Sequence, residues 1–300
     1  MKRARISIVV LALASFAAGQ QTSTPNSGTP GAGATQAAPA QGTPGTAARQ
    51  PQGKTPPQAK TQPEFDAFNA AKATANDPAA LEKAADDFAA KFPDSELRIL
   101  LYETDVAGYQ QANNSAKMEA MGRKVLAIDP DQPDALMAVS QGIVDTTGDN
   151  DLDKDQKYDE AMKDAQHALQ TVDTDIAVPA GTPQDRIDQY KNYIRSTAYS
   201  FLGTVQFKKG NFVDAEDYYK KSIDAFPSQP DPIVILRLAL SMDNQKKYPE
   251  ALEQASKAVQ MTQENTTVGD YARKERDRLT QLTGGSVPPA SGTTTPTKPQ

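Results

Sequence analysis

Residues 208–227 read KKGNFVDAEDYYKKSIDAFP, and this stretch decides the fold. It is charged throughout, yet Ala215, Tyr219, Ser222/Ile223 and Phe226 recur three or four apart. That spacing places them on one stripe of a helix, which Pro227 then stops. Gly210 ends whatever helix comes before, because glycine accepts the left-handed conformation without penalty. Upstream, Ile187, Tyr190, Ile194, Ala198, Phe201 and Val205 trace a second stripe. Thr182 is expected to cap that helix, with Pro183 in its first position and Asp185 at the positive end of its dipole. The helix is expected to run to about Lys209. Neither helix can bury its stripe alone, so each needs a partner.

The same character extends from Glu64 to Thr283. Apolar spacing is three and four, alanine is abundant and no alternating Val/Ile/Thr run occurs, so the region reads as all helical. Breakers at Pro78, Pro93, Pro130, Pro133, Gly148, Pro179, Pro183, Gly210, Pro227, Pro232 and Gly269 divide it into short helices. Around it lie two stretches of another kind. Residues 20–63 and the tail 284–300 are built from Gln, Thr, Pro, Gly, Ala and Ser, too little apolar area to offset chain entropy, and are expected to be disordered. Residues 1–19 open with MKRAR, continue through the apolar run ISIVVLALASFAA and end in small residues ahead of Gln20. This reads as a signal peptide, too short for a bilayer-spanning helix, and the mature chain is expected to be exported.

Repetition explains how a chain with no Trp, no Cys and 6% aromatic residues builds a core. Tyr199, Leu202, Gly203, Ala215, Tyr219 and Pro227 fall in one unit, with Gln206 and Phe207 between them. Copies follow at Ile235, Leu238, Ala239, Met242, Ala251, Ala255 and Ala258, and upstream at Leu136, Val139, Ser140, Ile143, Ala161, Ala165 and Ala168. Weaker copies occur at Tyr102, Val106, Tyr109, Met118, Gly122 and Pro130, where Asp105 takes a normally apolar slot, and at Phe65, Phe68, Leu81, Ala85, Phe88 and Pro93. This spacing resembles the tetratricopeptide repeat, a helix-turn-helix unit of about 34 residues. The resemblance implies a right-handed superhelix of about five repeats over 64–283, closed by a polar capping helix from Val268 to Leu282. On that last helix Val268, Tyr271, Leu279 and Leu282 are expected to share the packed side.

Chemistry-bearing motifs are scarce. The acidic balance (formal net charge −6) argues against nucleic acid, which needs a basic face. Without cysteine there are no disulfides, thiolate metal sites or Cys nucleophile. No P-loop, G-x-G-x-x-G or G-x-S-x-G occurs, and the one histidine, His167, reads as surface or groove packing. No catalytic residue, cofactor or metal ligand is assigned, and the chain is read as non-enzymatic. The insertion around Asp149, Asp151, Asp153, Asp155 and Glu160 echoes the spacing of a calcium loop. Lys154 replaces the turn glycine and Gln156 the apolar anchor, so the loop is read as solvated rather than as a calcium site.

In proteins that this one resembles, the first helices of successive repeats line a concave face that holds a peptide or partner helix. Carried over, the groove candidates are Thr197, Ser200, Thr204, Phe207 and Lys208; Ile233, Leu236, Leu240 and Asn244; and Met137, Gln141 and Val144. Glu103, Ala107 and Gln110 are the corresponding positions one repeat earlier. The Lys/Asn pattern that clamps a peptide's terminal carboxylate in some relatives is absent, which favours a mixed apolar and polar groove. The expected function is an exported protein–protein interaction scaffold in the periplasm or cell envelope, touching membrane only through its signal sequence. The alternative, an envelope assembly or division-coordination factor, rests on FPDSE (92–96), which resembles a helix-ending turn of envelope-assembly repeat proteins.

Overall fold

The computed structural model describes residues 54–285. The stretch read as a signal peptide (1–19), the low-complexity stretch up to Gly53 and the tail from Ser286 lie outside the described residues. Among the described residues eleven helices follow one another: α1 (Gln62–Lys72), α2 (Pro78–Lys91), α3 (Leu97–Gln111), α4 (Ser115–Leu126), α5 (Pro133–Thr146), α6 (Lys154–Thr171), α7 (Gln184–Lys208), α8 (Phe212–Ala225), α9 (Pro232–Asn244), α10 (Tyr248–Gln260) and α11 (Thr267–Leu282). The only extended pairing among these residues is an isolated bridge between Lys54 and Ala177.

The segment 208–227 is the second helix of the α7–α8 pair, as its stripe requires. Ala215 and Tyr219 are 0% exposed and Ser222 1%. Register shows that the pair is antiparallel. Ser196 Oγ donates to the Ser222 carbonyl at 2.8 Å. Farther along α7 the Tyr219 ring covers Gly203, and at the turn the Phe207 and Phe212 rings meet edge-on at 5.3 Å. A Cβ on Gly203 would lie 2.8 Å from the Tyr219 ring, so glycine is what lets the tyrosine lie against the helix backbone. Small residues perform the same service elsewhere: Ala85, Ala165, Ala168, Ala251, Ala255 and Ala258 are all 0% exposed. Side chains of this size allow helix axes to approach closely.

The repeat is also written in the backbone of the turns. Asn113, Gly210 and Lys246 each follow a helix C-cap with φ of 57°, 80° and 63°. The next amide in each case donates back into the last turn of the helix: Asn114 to Tyr109, Asn211 to Gln206 and Lys247 to Met242, at 2.8, 2.9 and 3.0 Å. The same helix-ending motif closes α11, where Gly284 follows the C-cap with φ of 79° and the Gly285 amide donates to Thr280 at 2.8 Å. Lys246 is the costly choice, since a side chain in the left-handed region is strained. Lys246→Gly is expected to raise stability by about 0.5–1 kcal/mol, measurable as a higher urea midpoint with an unchanged slope.

Prolines that read as breakers turn out to be starters. Pro78, Pro133 and Pro232 occupy first helical positions, where the missing N–H has no partner to lose. Asp77, Gln132 and Asp231 before them accept from first-turn amides. Gly269 likewise falls inside the first turn of α11. The cap expected at Thr182 is not formed: its hydroxyl turns back to the Pro179 carbonyl at 2.7 Å, and Pro183 is the N-cap. The folded body also starts earlier than residue 64. Thr61 and Glu64 close a capping box on α1, Ser95 Oγ donates to Glu64 at 2.5 Å, and Lys54 contacts the α6–α7 connection.

Each helix packs on its sequence neighbours, and odd-numbered helices touch across the array: α1 with α3, α5 with α7, α7 with α9 and α9 with α11. Thus every pair hides what the next leaves bare. Polar ties fix the pairs to one another. Glu216, 5% exposed on α8, receives Lys220, Lys247 and Gln245 at 2.6, 2.9 and 2.7 Å, the last two from the α9–α10 turn. Burial pushes its carboxyl up, but these bonds outweigh burial and hold it at about 2. Glu216→Gln is therefore expected to cost about 1–2 kcal/mol at neutral pH, where the carboxylate is charged. A depressed folded value means that this contribution is whole above the ordinary 4.5 and fades as pH falls towards about 2. Thermal melts of both chains across that window should converge at the acid end.

A candidate interaction groove between α9 and α11

Helix α9, PIVILRLALSMDN, is apolar nearly all round. It has to be, because α7, α8, α10 and α11 all pack on it. Helix α11 is different: Ala272 and Leu279 are 0% exposed, and most of its remaining residues are polar. Thr266 caps it by accepting from the Gly269 amide at 3.1 Å. Tyr271 and Leu282 do not join the packed side as expected; both are 51% exposed. Where the last helix leaves α9 partly uncovered, a cavity of about 320 Å³ opens. Ile233, Leu236, Leu240, Val268 and Tyr271 give it an apolar lining, and Arg237, Lys274, Glu275 and Arg278 give it charge.

The charge is mostly positive and mostly tied down. Arg237 donates to Thr204 Oγ1 at 2.8 Å, which links the groove to α7. Arg278 bridges Asp243 at 2.6 Å and Glu275 at 2.9 Å. Lys274 lies over the Tyr271 ring at 5.9 Å. Three cations against one lining carboxylate leave a net positive surround for an apolar cleft. Such a cleft can take an apolar side chain and hold an acidic group at its edge.

Of the residues expected to line a groove, Ile233, Leu236 and Leu240 come together here. Asn244 is exposed one turn on, its amide donating to the Leu240 carbonyl at 2.8 Å. Phe207 is half-buried against Phe212, and Lys208 is exposed over the Tyr158 ring. The others differ from expectation. Thr197, Ser200 and Thr204 are buried, as are Met137, Gln141 and Val144. Neighbouring odd-numbered helices press on these positions, so they serve the stack rather than an open face. Glu103, Ala107 and Gln110 are half-buried. At Glu103, burial and the nearby Asp134 carboxylate push the carboxyl up to about 8 despite a hydrogen bond from Gln132. Asp134, also raised by burial, accepts from Tyr190 at 2.5 Å. Burial thus favours the uncharged form of both carboxyls.

Sequence reading missed Arg237 on α9 and every α11 residue of the lining, Tyr271, Lys274 and Arg278 among them. With Val268 these last three fall three or four apart on α11, where Val268 and Tyr271 were expected to pack inward and the charges of RKERDR to face away from them. Several carboxylates of the acidic insertion have partners: Asp151 accepts from the Gly148 amide and from Lys157, Asp153 pairs with Lys157 at 3.0 Å, and Glu160 pairs with Arg123 of α4 at 2.8 Å. His167 meets Asp131 at 2.8 Å. Among the described residues no group of three or more His, Asp or Glu is placed to hold a metal ion. No helix among them is long and apolar enough to cross a membrane.

No protein-family model matches the chain, and no curated protein matches it. Solved structures similar to it include a thermophilic TPR protein of Thermus thermophilus, with 13% identity and a TM-score of 0.44 over 71% of this chain and 98% of that one. Another is the assembly chaperone of RpL4, with 10% identity and a TM-score of 0.38 over 74% of this chain and 99% of that one. What the chain shows by itself is a stack of helix pairs of TPR-like design.

Proposed function

We propose that this protein is a non-catalytic interaction scaffold, exported to the cell envelope, that seats an apolar peptide or partner helix with acidic flanks in the α9–α11 cleft. The observation that carries the reading is the cleft itself: an apolar lining from Ile233, Leu236, Leu240 and Val268, edged by Arg237, Lys274 and Arg278 and by the exposed Tyr271 ring. Exposed tyrosine beside arginine is the side-chain chemistry that anchors protein interfaces. Export rests on the basic and apolar leader at residues 1–19.

A photo-crosslinking residue placed at Tyr271, and at exposed Lys257 on α10 as the control, tests this in intact cells. The Tyr271 position should capture one envelope protein that the Lys257 position does not. Leu240→Glu should reduce that capture by about tenfold or more, the size expected for a central apolar anchor. Capture that is identical from both positions, or indifferent to Leu240→Glu, rules the cleft out as the binding surface.

A further inference from the structure

Ahead of α1 the chain makes a contact distant in sequence. Lys54 lies alongside the α6–α7 connection, donating its amide to the Ile176 carbonyl at 2.9 Å and accepting from the Val178 amide at 3.0 Å. Its ammonium sits between two carboxylates, Asp129 Oδ1 at 2.9 Å in the α4–α5 connection and Asp175 Oδ1 at 2.7 Å in the α6–α7 connection. Ile176 and Val178 turn into the core, at 4% and 8% exposure, so what this edge presents outward is backbone and the small Ala177. Pro56 and Pro57 follow Lys54 and have no amide to extend the ladder. Among the described residues, one bridge and one ammonium therefore make up the grip on this edge.

We propose that this edge is a docking site for an extended segment bearing a lysine or arginine, and that the Lys54 segment fills it in cis as a displaceable self-ligand. The recognition chemistry is strand addition to an unpaired backbone edge, with a dicarboxylate pocket selecting a cation at the paired position. An acidic segment is refused by Asp129 and Asp175 and by Asp131 nearby, whose own partner is His167. The tether from Lys54 to the α1 cap at Thr61 is short, which sets a local concentration of roughly millimolar that any competitor has to beat. A partner with several basic residues, or a second contact in the α9–α11 cleft, has the means to do so. The site uses different elements from that cleft and stands whether or not the cleft binds anything.

The test uses the full chain and Lys54→Glu, with a fluorescent peptide of sequence PQGKTPP (51–57) and one with glutamate in place of its lysine. At millimolar peptide, Lys54→Glu should bind the lysine peptide at least about tenfold more tightly than wild type. The glutamate peptide should bind neither chain. Adding Asp129→Asn and Asp175→Asn to Lys54→Glu should abolish the binding. Exchange of the Val178 amide reports independently of the peptide: it should quicken in Lys54→Glu and slow again when the lysine peptide is added. Equal peptide binding by wild type and Lys54→Glu, no binding by either, or indifference to the two Asp→Asn changes overturns the proposal, as does an unchanged Val178 exchange rate.

Discussion

Tyr219→Ala should lower stability by about 3–5 kcal/mol, the cost of deleting a fully buried aromatic ring. Tyr219 is 0% exposed, its ring fills the space over Gly203, and its hydroxyl reaches Thr204 Oγ1 at 3.4 Å. That hydroxyl oxygen of Thr204 also accepts from Arg237, so the loss reaches α9. In a stack whose pairs contact only their neighbours, damage at one interface loosens the array locally before it dissolves it. The variant should therefore melt in two steps, with α7–α11 exchanging amide protons early while α1–α4 stay protected. Gly203→Ala should produce a milder form of the same defect, of about 1–3 kcal/mol, by forcing the ring off the helix.

The second large effect runs the other way. Asp105→Leu should stabilise the protein by about 3 kcal/mol at mildly alkaline pH. Asp105 is on α3, is 0% exposed, and neither carboxylate oxygen has a hydrogen-bond partner. Around it stand Glu82 and Asp86 on α2 and Lys117 and Lys124 on α4. These cations are spoken for: Lys117 pairs with Glu82 at 2.8 Å and Lys124 with Asp86 at 2.6 Å. Burial first, then the Glu82 charge, push the Asp105 carboxyl up to about 7. A raised folded value means that the wild type loses stability as pH climbs from the ordinary carboxylate range to about 7, then levels off. Asp105→Asn, which keeps the volume, should flatten that pH profile. Urea titrations at several pH values read both effects, and a profile unchanged by either substitution would show that the charge is paired after all.

Much of the fold was legible because the repeat is a local code. The stripes Leu81–Ala85–Phe88, Ala161–Ala165–Ala168, Ala215–Tyr219–Ser222 and Ala251–Ala255–Ala258 were read from spacing, and each is buried at 3% exposure or less. Asp105 was legible as an apolar slot filled by the wrong chemistry, which is what the structure finds. Turn residues were only half legible. Gly210 announces a left-handed turn, whereas Lys246 takes the same conformation without any compositional sign. Prolines marked boundaries correctly, but their side of the boundary depends on caps such as Asp77 and Asp231.

The groove was less legible, for a physical reason. Facing the inner side of a first helix does not leave a residue open, since α5, α7 and α9 press on one another and bury Met137, Gln141, Thr197 and Ser200. An open cleft appears where the series of inner helices ends, between α9 and α11. A third of that cleft's lining comes from Tyr271, Lys274 and Arg278, whose importance depends on what they stand beside. The Lys54 contact lay beyond sequence reading for the same reason: it joins positions 75 residues apart through a pair of loops.

The claim beneath all of this is that α7 and α8 lie antiparallel with Ser196 against Ser222. The chain has no cysteine, so Ser196→Cys with Ser222→Cys introduces the only two thiols, at positions whose hydroxyl oxygens are 3.2 Å apart. Mild oxidation should join them within one chain, as their spacing suits disulfide geometry, leaving no free thiol and raising the melting temperature. Thiols that stay free, or that link only chain to chain, would contradict the helix-pair array.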